Sequence, residues 1–264
     1  LSPLVLYHAN CADGFCAAWA ARQAMPDAEC VPVQYGQPPP DVRGRRVYVV
    51  DFSYRRPVLE QMAQAAASLV VLDHHKTAQA DLAGLPYCTF DMDKSGGRLA
   101  WEHFHPGKPA PWLVAYTEDR DLWRWQLAHS RAVSAWLASA SWSFGAWSEY
   151  AAIPAGSDEW RVLVQEGNAI LRYQAQQVEA ACANAREIEL AGHKILAVNS
   201  TVLFSEVAGK LAEGRPFGAA WFVRADGKRQ WSLRSRDGGV DVSEVAKARG
   251  GGGHRNAAGF EEPL

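Results

Sequence analysis

Four short stretches of the chain set carboxylates and imidazoles at intervals suited to metal chemistry. They are His8-Ala-Asn-Cys-Ala-Asp13, Asp51-Phe-Ser53, Asp73-His74-His75 and Thr117-Glu-Asp119-Arg-Asp121. Carboxylates gathered in a poorly solvated cleft repel one another unless a cation compensates them. Aspartate and histidine donors without a cysteine tetrad suit Mn2+, Mg2+ or Zn2+, and aspartate-rich sets favour two ions bridged by one carboxylate. Two ions about 3.5–4 Å apart can generate a hydroxide, neutralise phosphoryl oxygens and stabilise a leaving oxygen. That chemistry is hydrolysis of a phosphoester or phosphoanhydride.

The elements that must position these residues are visible in the periodicity. Leu4–Tyr7, Val47–Val50 and Leu69–Leu72 are short, apolar and rich in β-branched residues, and each leads through polar residues into an Ala/Gln/Glu-rich helical stretch. Such alternation predicts an α/β fold with a parallel sheet, in which ligands gather beyond the carboxyl ends of the strands. One aspartate at a strand end commonly caps a helix or a turn. Four such sites ending four successive elements carry the inference jointly. Residues 157–189 predict one long helix. From Lys194 onward, ILAVNS, GAAWFV and QWSLRS predict strands, with helices over 205–213 and 242–248. The expected organisation is a catalytic α/β domain over 1–150, a helical linker over 151–189 and a smaller mixed-sheet α/β domain over 190–264.

Composition narrows the partners. The 264 residues are 48% hydrophobic and 21% charged with a formal net charge of -2, which suits a globular protein and excludes a broad cationic surface for duplex DNA. Five cysteines without a CxxC pair, and no long apolar run, predict reduced thiols, a cytoplasmic location and no membrane partner. Eleven tryptophans could stack on bases, yet packing is the commoner use of each; Trp123, beside the fourth stretch, is the one to test.

Taken together, VLDHHKT closely resembles the signature of the DHH phosphoesterase superfamily, which includes RecJ-type exonucleases, nanoRNases, cyclic-dinucleotide phosphodiesterases and a class of inorganic pyrophosphatase. YHANCADGF resembles its first motif, VVDFS its second and TEDRDLWRW its fourth. SLRSRDGGVDVSEVAKARGGGGHRNAAGF is similar to the DHH-associated domain of the nuclease and phosphodiesterase members. The glycine-histidine motif sets the chain apart from the pyrophosphatase branch. The resemblance implies that His8 and Asp13 bind one metal, Asp51 bridges two, and His74 with Asp119 holds the second. Asp73 would orient an imidazole or coordinate, and His75 would meet a phosphate oxygen. Mn2+ is the implied cofactor, as one or two ions, with Mg2+ or another divalent ion as substitutes.

One departure stands out. The first motif ordinarily supplies two acids, and here Cys11 and Phe15 stand at the places where the second would fall; water, Asp121 or Asn10 would substitute. Cys11 is expected to be a small buried thiol, with a role as a soft ligand as the alternative. In the C-terminal motif, Gly251, Gly252 and Gly253 are expected to expose backbone N–H groups to a phosphate or ribose. His254 and Arg234, with Arg255 and Asn256, would supply side-chain contacts. The implied activity is removal of mononucleotides from short oligonucleotides, RNA or single-stranded DNA, by a monomer or homodimer. Cyclic-dinucleotide phosphodiesterase, nucleoside-bisphosphate phosphatase and a catalytically reduced nucleotide sensor are the alternatives.

Overall fold

The computed structural model describes residues 2–236 and 238–264; Asp237, within the C-terminal motif, lies outside them. The chain divides into two compact units after Ile170. That boundary falls inside a long helix.

The first unit contains β1 (Leu4–His8), α1 (Ala12–Ala24), β2 (Glu29–Val33), β3 (Arg46–Val50), α2 (Arg56–Ala65), β4 (Ser68–Asp73), α3 (Lys76–Asp81), β5 (Cys88–Phe90), α4 (Gly96–Phe104), α5 (Trp112–Asp121), α6 (Ser130–Ser139), α7 (Phe144–Ala151) and the start of α8 (Asp158–Cys182). Its five strands are all parallel in the order β2-β1-β3-β4-β5. Alternate residues serve opposite faces. Leu4, Leu6, Val47, Val49, Leu69 and Val71 join Leu59 and Met62 of α2 in one core, where each such side chain contributes about 1.5–3 kcal/mol by leaving water. α1, almost wholly buried from Cys16 to Ala21, is made there of small residues apart from Trp19, which lets α4 approach closely. A Cβ on Gly97 would sit 2.9 Å from the Cys16 sulfur.

The tryptophans chiefly pack helices. Trp19 stacks on Trp101 with ring centroids 5.8 Å apart, and Trp112 meets Trp160 edge-on at 4.9 Å. Trp147, with no exposed surface, meets Phe15 at 4.9 Å. Among the basic residues flanking β3, Arg43 pairs with Asp41, Arg45 with Glu29, and Arg56 donates to Asp81.

The second unit holds the end of α8, then β6 (Arg186–Leu190), β7 (His193–Asn199), α9 (Phe204–Leu211), β8 (Gly218–Val223), β9 (Lys228–Arg234), α10 (Val242–Lys247), β10 (Gly252–His254) and β11 (Ala257–Pro263). Its six strands form a mixed sheet in the order β10-β11-β9-β8-β7-β6, in which only β7 and β8 run parallel. One face packs Ile195, Trp231, Leu233 and Phe260 against Val242 and Val245 of α10. The other packs Val198 and Ala220 against Val207 and Leu211 of α9 and Val178 of α8.

The structure corrects one expectation. The helix predicted to reach residue 189 stops at Cys182, because Glu187-Ile188-Glu189-Leu190 alternates with the period of a strand and pairs with β7. Within the glycine run, Gly252 and Gly253 belong to β10, the edge strand of its sheet. A Cβ at Gly251 would lie 2.1 Å from the Gly259 carbonyl oxygen, and one at Gly253 would lie 2.5 Å from that of Ala257. Glycine is required at both positions by the close approach of β10 to β11, and Gly253 also has a φ of +138°.

Gly167 of α8 shows the same constraint in the first unit, since a Cβ there would lie 2.0 Å from the carbonyl oxygen of Ala132 in α6. Alanine gains about 1 kcal/mol of helix propensity over glycine, whereas overpacking against backbone costs about 1–3 kcal/mol. Gly167→Ala should therefore lower the urea unfolding midpoint; an unchanged or raised midpoint would show that α6 and α8 can separate without cost.

Candidate metal centre

The carboxyl ends of three neighbouring strands converge. His8 ends β1, Asp51 follows β3, and Asp73 ends β4 with His74 and His75 directly after it. β1 and β3 flank the point where the strand order reverses, which is where an open parallel sheet leaves a crevice. Two helix starts close over it. Gly14 lets α1 begin against His8, since a Cβ there would lie 2.2 Å from the His8 carbonyl oxygen. Gly96 of α4 lies against Asp51, with space for a Cβ only 2.5 Å from that of Asp51.

The carboxylates are aimed by backbone. Asp13 Oδ2 accepts from the Gly96 N–H at 2.5 Å and Oδ1 from the Gly97 N–H at 2.9 Å. Asp51 holds a left-handed φ of +62°, an uncommon conformation outside glycine that aspartate tolerates better than most residues. Its Oδ1 lies 3.0 Å from His74 Nε2, and its Oδ2 lies 3.5 Å from His8 Nδ1. Asp13 Oδ2 and Asp121 Oδ2 approach the same His74 nitrogen at 3.5 and 3.6 Å. Asp13, Asp51 and His74 are each about 1% exposed.

Three carboxylates around one imidazole nitrogen set the electrostatics. Burial lowers the affinity of His74 for a proton, but the hydrogen bond to Asp51 and the charges of Asp121, Asp51 and Asp13 outweigh it and push its pKa up to about 10. Burial, followed by the charges of Asp51 and Asp121, drives the Asp13 carboxyl well above the usual range. Asp121 is also raised, by burial and Asp51, while the hydrogen bond to His74 and the nearby His8 imidazole overcome burial to hold Asp51 well below it. A cationic proton on His74 thus does what a metal ion would do.

The donor set fits a metal. Donor atoms of Asp13, Asp51 and His74 lie within 4.8 Å of one another, and so do those of His8, Cys11 and Asp51. Asp51 belongs to both sets. Oδ2 of Asp51 and Oδ2 of Asp121 are buried with no hydrogen-bond partner among the described residues, a costly state that a bound cation would relieve.

Asp73 has a different task. Its Oδ1 accepts from the His74 and His75 N–H groups at 2.7 and 3.2 Å and lies 2.7 Å from His75 Nδ1, while Oδ2 accepts from Ser53 Oγ at 2.5 Å. It fixes the turn and the His75 ring. The Asp73 charge and hydrogen bond raise the His75 pKa against burial.

Asp119, expected as a ligand, is directed elsewhere. Its Oδ1 accepts from the Gln126 N–H at 2.9 Å, and its Oδ2 from the Leu127 N–H and the Ser130 hydroxyl. Residues two apart on a helix point about 200° apart, so Asp121 faces His74 when Asp119 faces the loop before α6. Glu118 in turn binds Arg98 and the Ser95 N–H, joining α5 to α4. Of the residues weighed for the missing acid, Phe15 packs among Tyr7, Phe144 and Trp147 and Asn10 is exposed. Cys11 is at the site. It is half-buried rather than a core thiol, and burial with the charges of Asp51, Asp121 and Asp13 raises its pKa well above the ordinary value.

Two features escaped the sequence reading. Ser95-Gly96-Gly97 is an N-cap followed by two glycines, and Ser95 Oγ accepts from the Arg98 N–H; an S-G-G before the apolar Leu99-Ala-Trp was the available signal. Tyr35, 58% exposed, places its ring 5.1 Å from that of His8 and 6.3 Å from that of His75. It follows β2, a short strand whose Pro32 hides it from a reading of propensity. Trp123 meets Trp125 at 5.0 Å and lies under the Arg120 guanidinium at 4.7 Å.

In the second unit, register joins two expected residues. Ala257 pairs with Arg234 on one side and His254 on the other, so the two side chains share a sheet face across one small residue. Arg234 is braced by Ser205 at 2.7 Å and the Leu233 carbonyl at 2.8 Å. Arg255 donates to the Gly239 carbonyl, and Asn256 Oδ1 accepts from Ser235.

The architecture is shared with solved structures. A DHH domain from a member of the s1p family of ribosomal proteins superposes with a TM-score of 0.57 at 15% identity, covering 98% of this chain and 82% of that one. The chain has the DHH fold. The pGpG-specific phosphodiesterase PggH from Vibrio cholerae has a TM-score of 0.52 at 13% identity, over 100% of this chain and 94% of its own. RecJ from Thermus thermophilus in complex with Mn2+ has a TM-score of 0.51 at 15% identity, over 98% of this chain and 49% of its own. By sequence the chain is 29% identical, over 291 aligned positions, to the uncharacterized protein R106 of Acanthamoeba polyphaga mimivirus, covering 97% of this chain and 66% of the viral protein's length. No protein-family model matches the chain.

Asp121→Asn should weaken binding of a divalent ion by at least about tenfold, ~1.4 kcal/mol, by calorimetric titration with little change in stability. Asp119→Ala should do the reverse, costing about 1–3 kcal/mol as its buried donors lose their acceptor. The opposite pattern would return the ligand role to Asp119.

Proposed function

We propose that the chain is a metal-dependent phosphoesterase that hydrolyses short oligonucleotides to mononucleotides. The observation that carries this reading is the convergence of Asp13, Asp51 and Asp121 on His74 Nε2, with two buried carboxylate oxygens unsatisfied. The fold supports it, because PggH is a phosphodiesterase and RecJ was seen with Mn2+ on the same architecture. A divalent ion at this site, Mn2+ by expectation, would activate water and neutralise phosphoryl oxygens.

The chain's own groups define the remainder. Asp13, Asp51, His74 and Asp121 would hold the ion. His75, oriented by the contact of its Nδ1 with Asp73, would offer an N–H to the charge that develops on a phosphoryl oxygen. The Tyr35 ring offers a face for a base beside it. In the second unit, Arg234 and His254, in register on either side of Ala257, would supply donors to a terminal phosphate.

The test is to incubate the metal-loaded protein with a panel of dinucleotides, longer single strands, cyclic di-AMP, adenosine bisphosphate and pyrophosphate, and to separate the products. Dinucleotides should yield mononucleotides fastest, Asp51→Asn should abolish turnover, and His75→Ala should lower kcat by roughly a hundredfold to a thousandfold. His254→Ala should raise KM and leave ion binding intact. Rapid pyrophosphate cleavage with inert dinucleotides would overturn the reading.

A further inference from the structure

Position 11 is the N-cap of α1, where serine, threonine, aspartate or asparagine ordinarily stands and supplies an oxygen acceptor. Cysteine is a poor cap, so capping does not account for it. Nor does core packing, which Cys16, wholly buried five residues on, does perform. All five cysteines are free thiols. What distinguishes Cys11 is its company: its sulfur, a His8 ring nitrogen and an Asp51 oxygen lie within 4.8 Å of one another. An aspartate there would add a fourth carboxylate to three already crowded around His74.

The second observation is the Asp51 carboxylate. It is 1% exposed, and its Oδ2, on the side of His8 Nδ1 at 3.5 Å, has no hydrogen-bond partner among the described residues. A buried oxygen left so, beside an imidazole and a thiol, lacks a cation rather than a proton donor. The donors on the His74 side of Asp51 are nitrogen and oxygen only, whereas those on the His8 side include sulfur.

We propose that Cys11 is a metal ligand, and that the His8–Cys11–Asp51 half of the centre takes a thiophilic divalent ion such as Zn2+, Co2+ or Cd2+, while the Asp13–Asp51–His74 half takes a harder one. This rests on the metal-centre reading above and adds an unequal pair of positions that share Asp51. Soft thiolate donors favour these ions over Mg2+ and Mn2+. On binding, the Cys11 S–H bond is replaced by a sulfur–metal bond, the proton passes to solvent and no electron is transferred.

Titration of the metal-free protein with Co2+, followed by absorption, separates the two readings. Visible d–d bands report cobalt bound by any donors; a near-ultraviolet charge-transfer band reports a cobalt–sulfur bond. The wild type should show both, and Cys30→Ser and Cys88→Ser should be unchanged. Cys11→Ser and Cys11→Asp should keep d–d bands and lose the charge-transfer band, and Cys11→Asp should also shift preference toward Mn2+. Visible bands without charge transfer in the wild type, or charge transfer that survives in both Cys11 variants, would overturn the role of Cys11 and leave the metal centre standing. Absence of any cobalt binding would overturn both.

Discussion

Three aspartates press on a single imidazole nitrogen out of contact with water. Charges so close in a medium of low effective dielectric interact far more strongly than on a surface, and they push the affinities of His74 and Asp13 for a proton up while the pairing with His74 holds that of Asp51 down. Such an arrangement would be a liability in a purely structural core, where apolar side chains of similar volume would serve as well or better. At the carboxyl edge of a parallel sheet the same donors make a set that could hold a metal cation.

Much of the first unit is arranged to hold that concentration of charge. Parallel pairing of β1, β3 and β4 brings His8, Asp51 and the Asp73–His75 turn to one edge. Glycines at 14, 96 and 97 remove the side chains that would keep α1 and α4 from closing on it. The N–H groups at the start of α4 fix Asp13, and the left-handed backbone at Asp51 turns its carboxylate between two histidines. Asp73 and Ser53 then lock His75 from behind. Positions with strained or close-packed backbone are commonly concentrated where a ligand is handled, and the DHH fold places them around this crevice.

Much of this was legible from residue types. Short β-branched runs followed by polar clusters disclosed the parallel sheet, and the positions of His8, Asp13, Asp51 and His74 followed from the strand ends. The choice between Asp119 and Asp121 was not legible, because both occupy one helix and helical phase depends on which face the neighbours cover. β6 alternates polar with apolar residues and β2 contains Pro32, so neither forms a continuous apolar run. The glycine run was legible only in part: glycine permits a ligand to approach and permits another strand to approach, and at Gly251 and Gly253 the neighbouring strand is close enough to require it. Cys11 was read by its average behaviour as a small buried thiol, whereas its surroundings are the His8 imidazole and three carboxylates.

The central claim is that the carboxylate cluster around His74 exists to hold a metal. The most direct measurement is anomalous diffraction from crystals soaked in Mn2+, recorded on either side of the manganese edge. The account predicts an anomalous peak among the side chains of Asp13, Asp51, His74 and Asp121, with Asp119 still bonded to Ser130. A fully soaked crystal with no peak there, or with manganese on Asp119 instead, would contradict it.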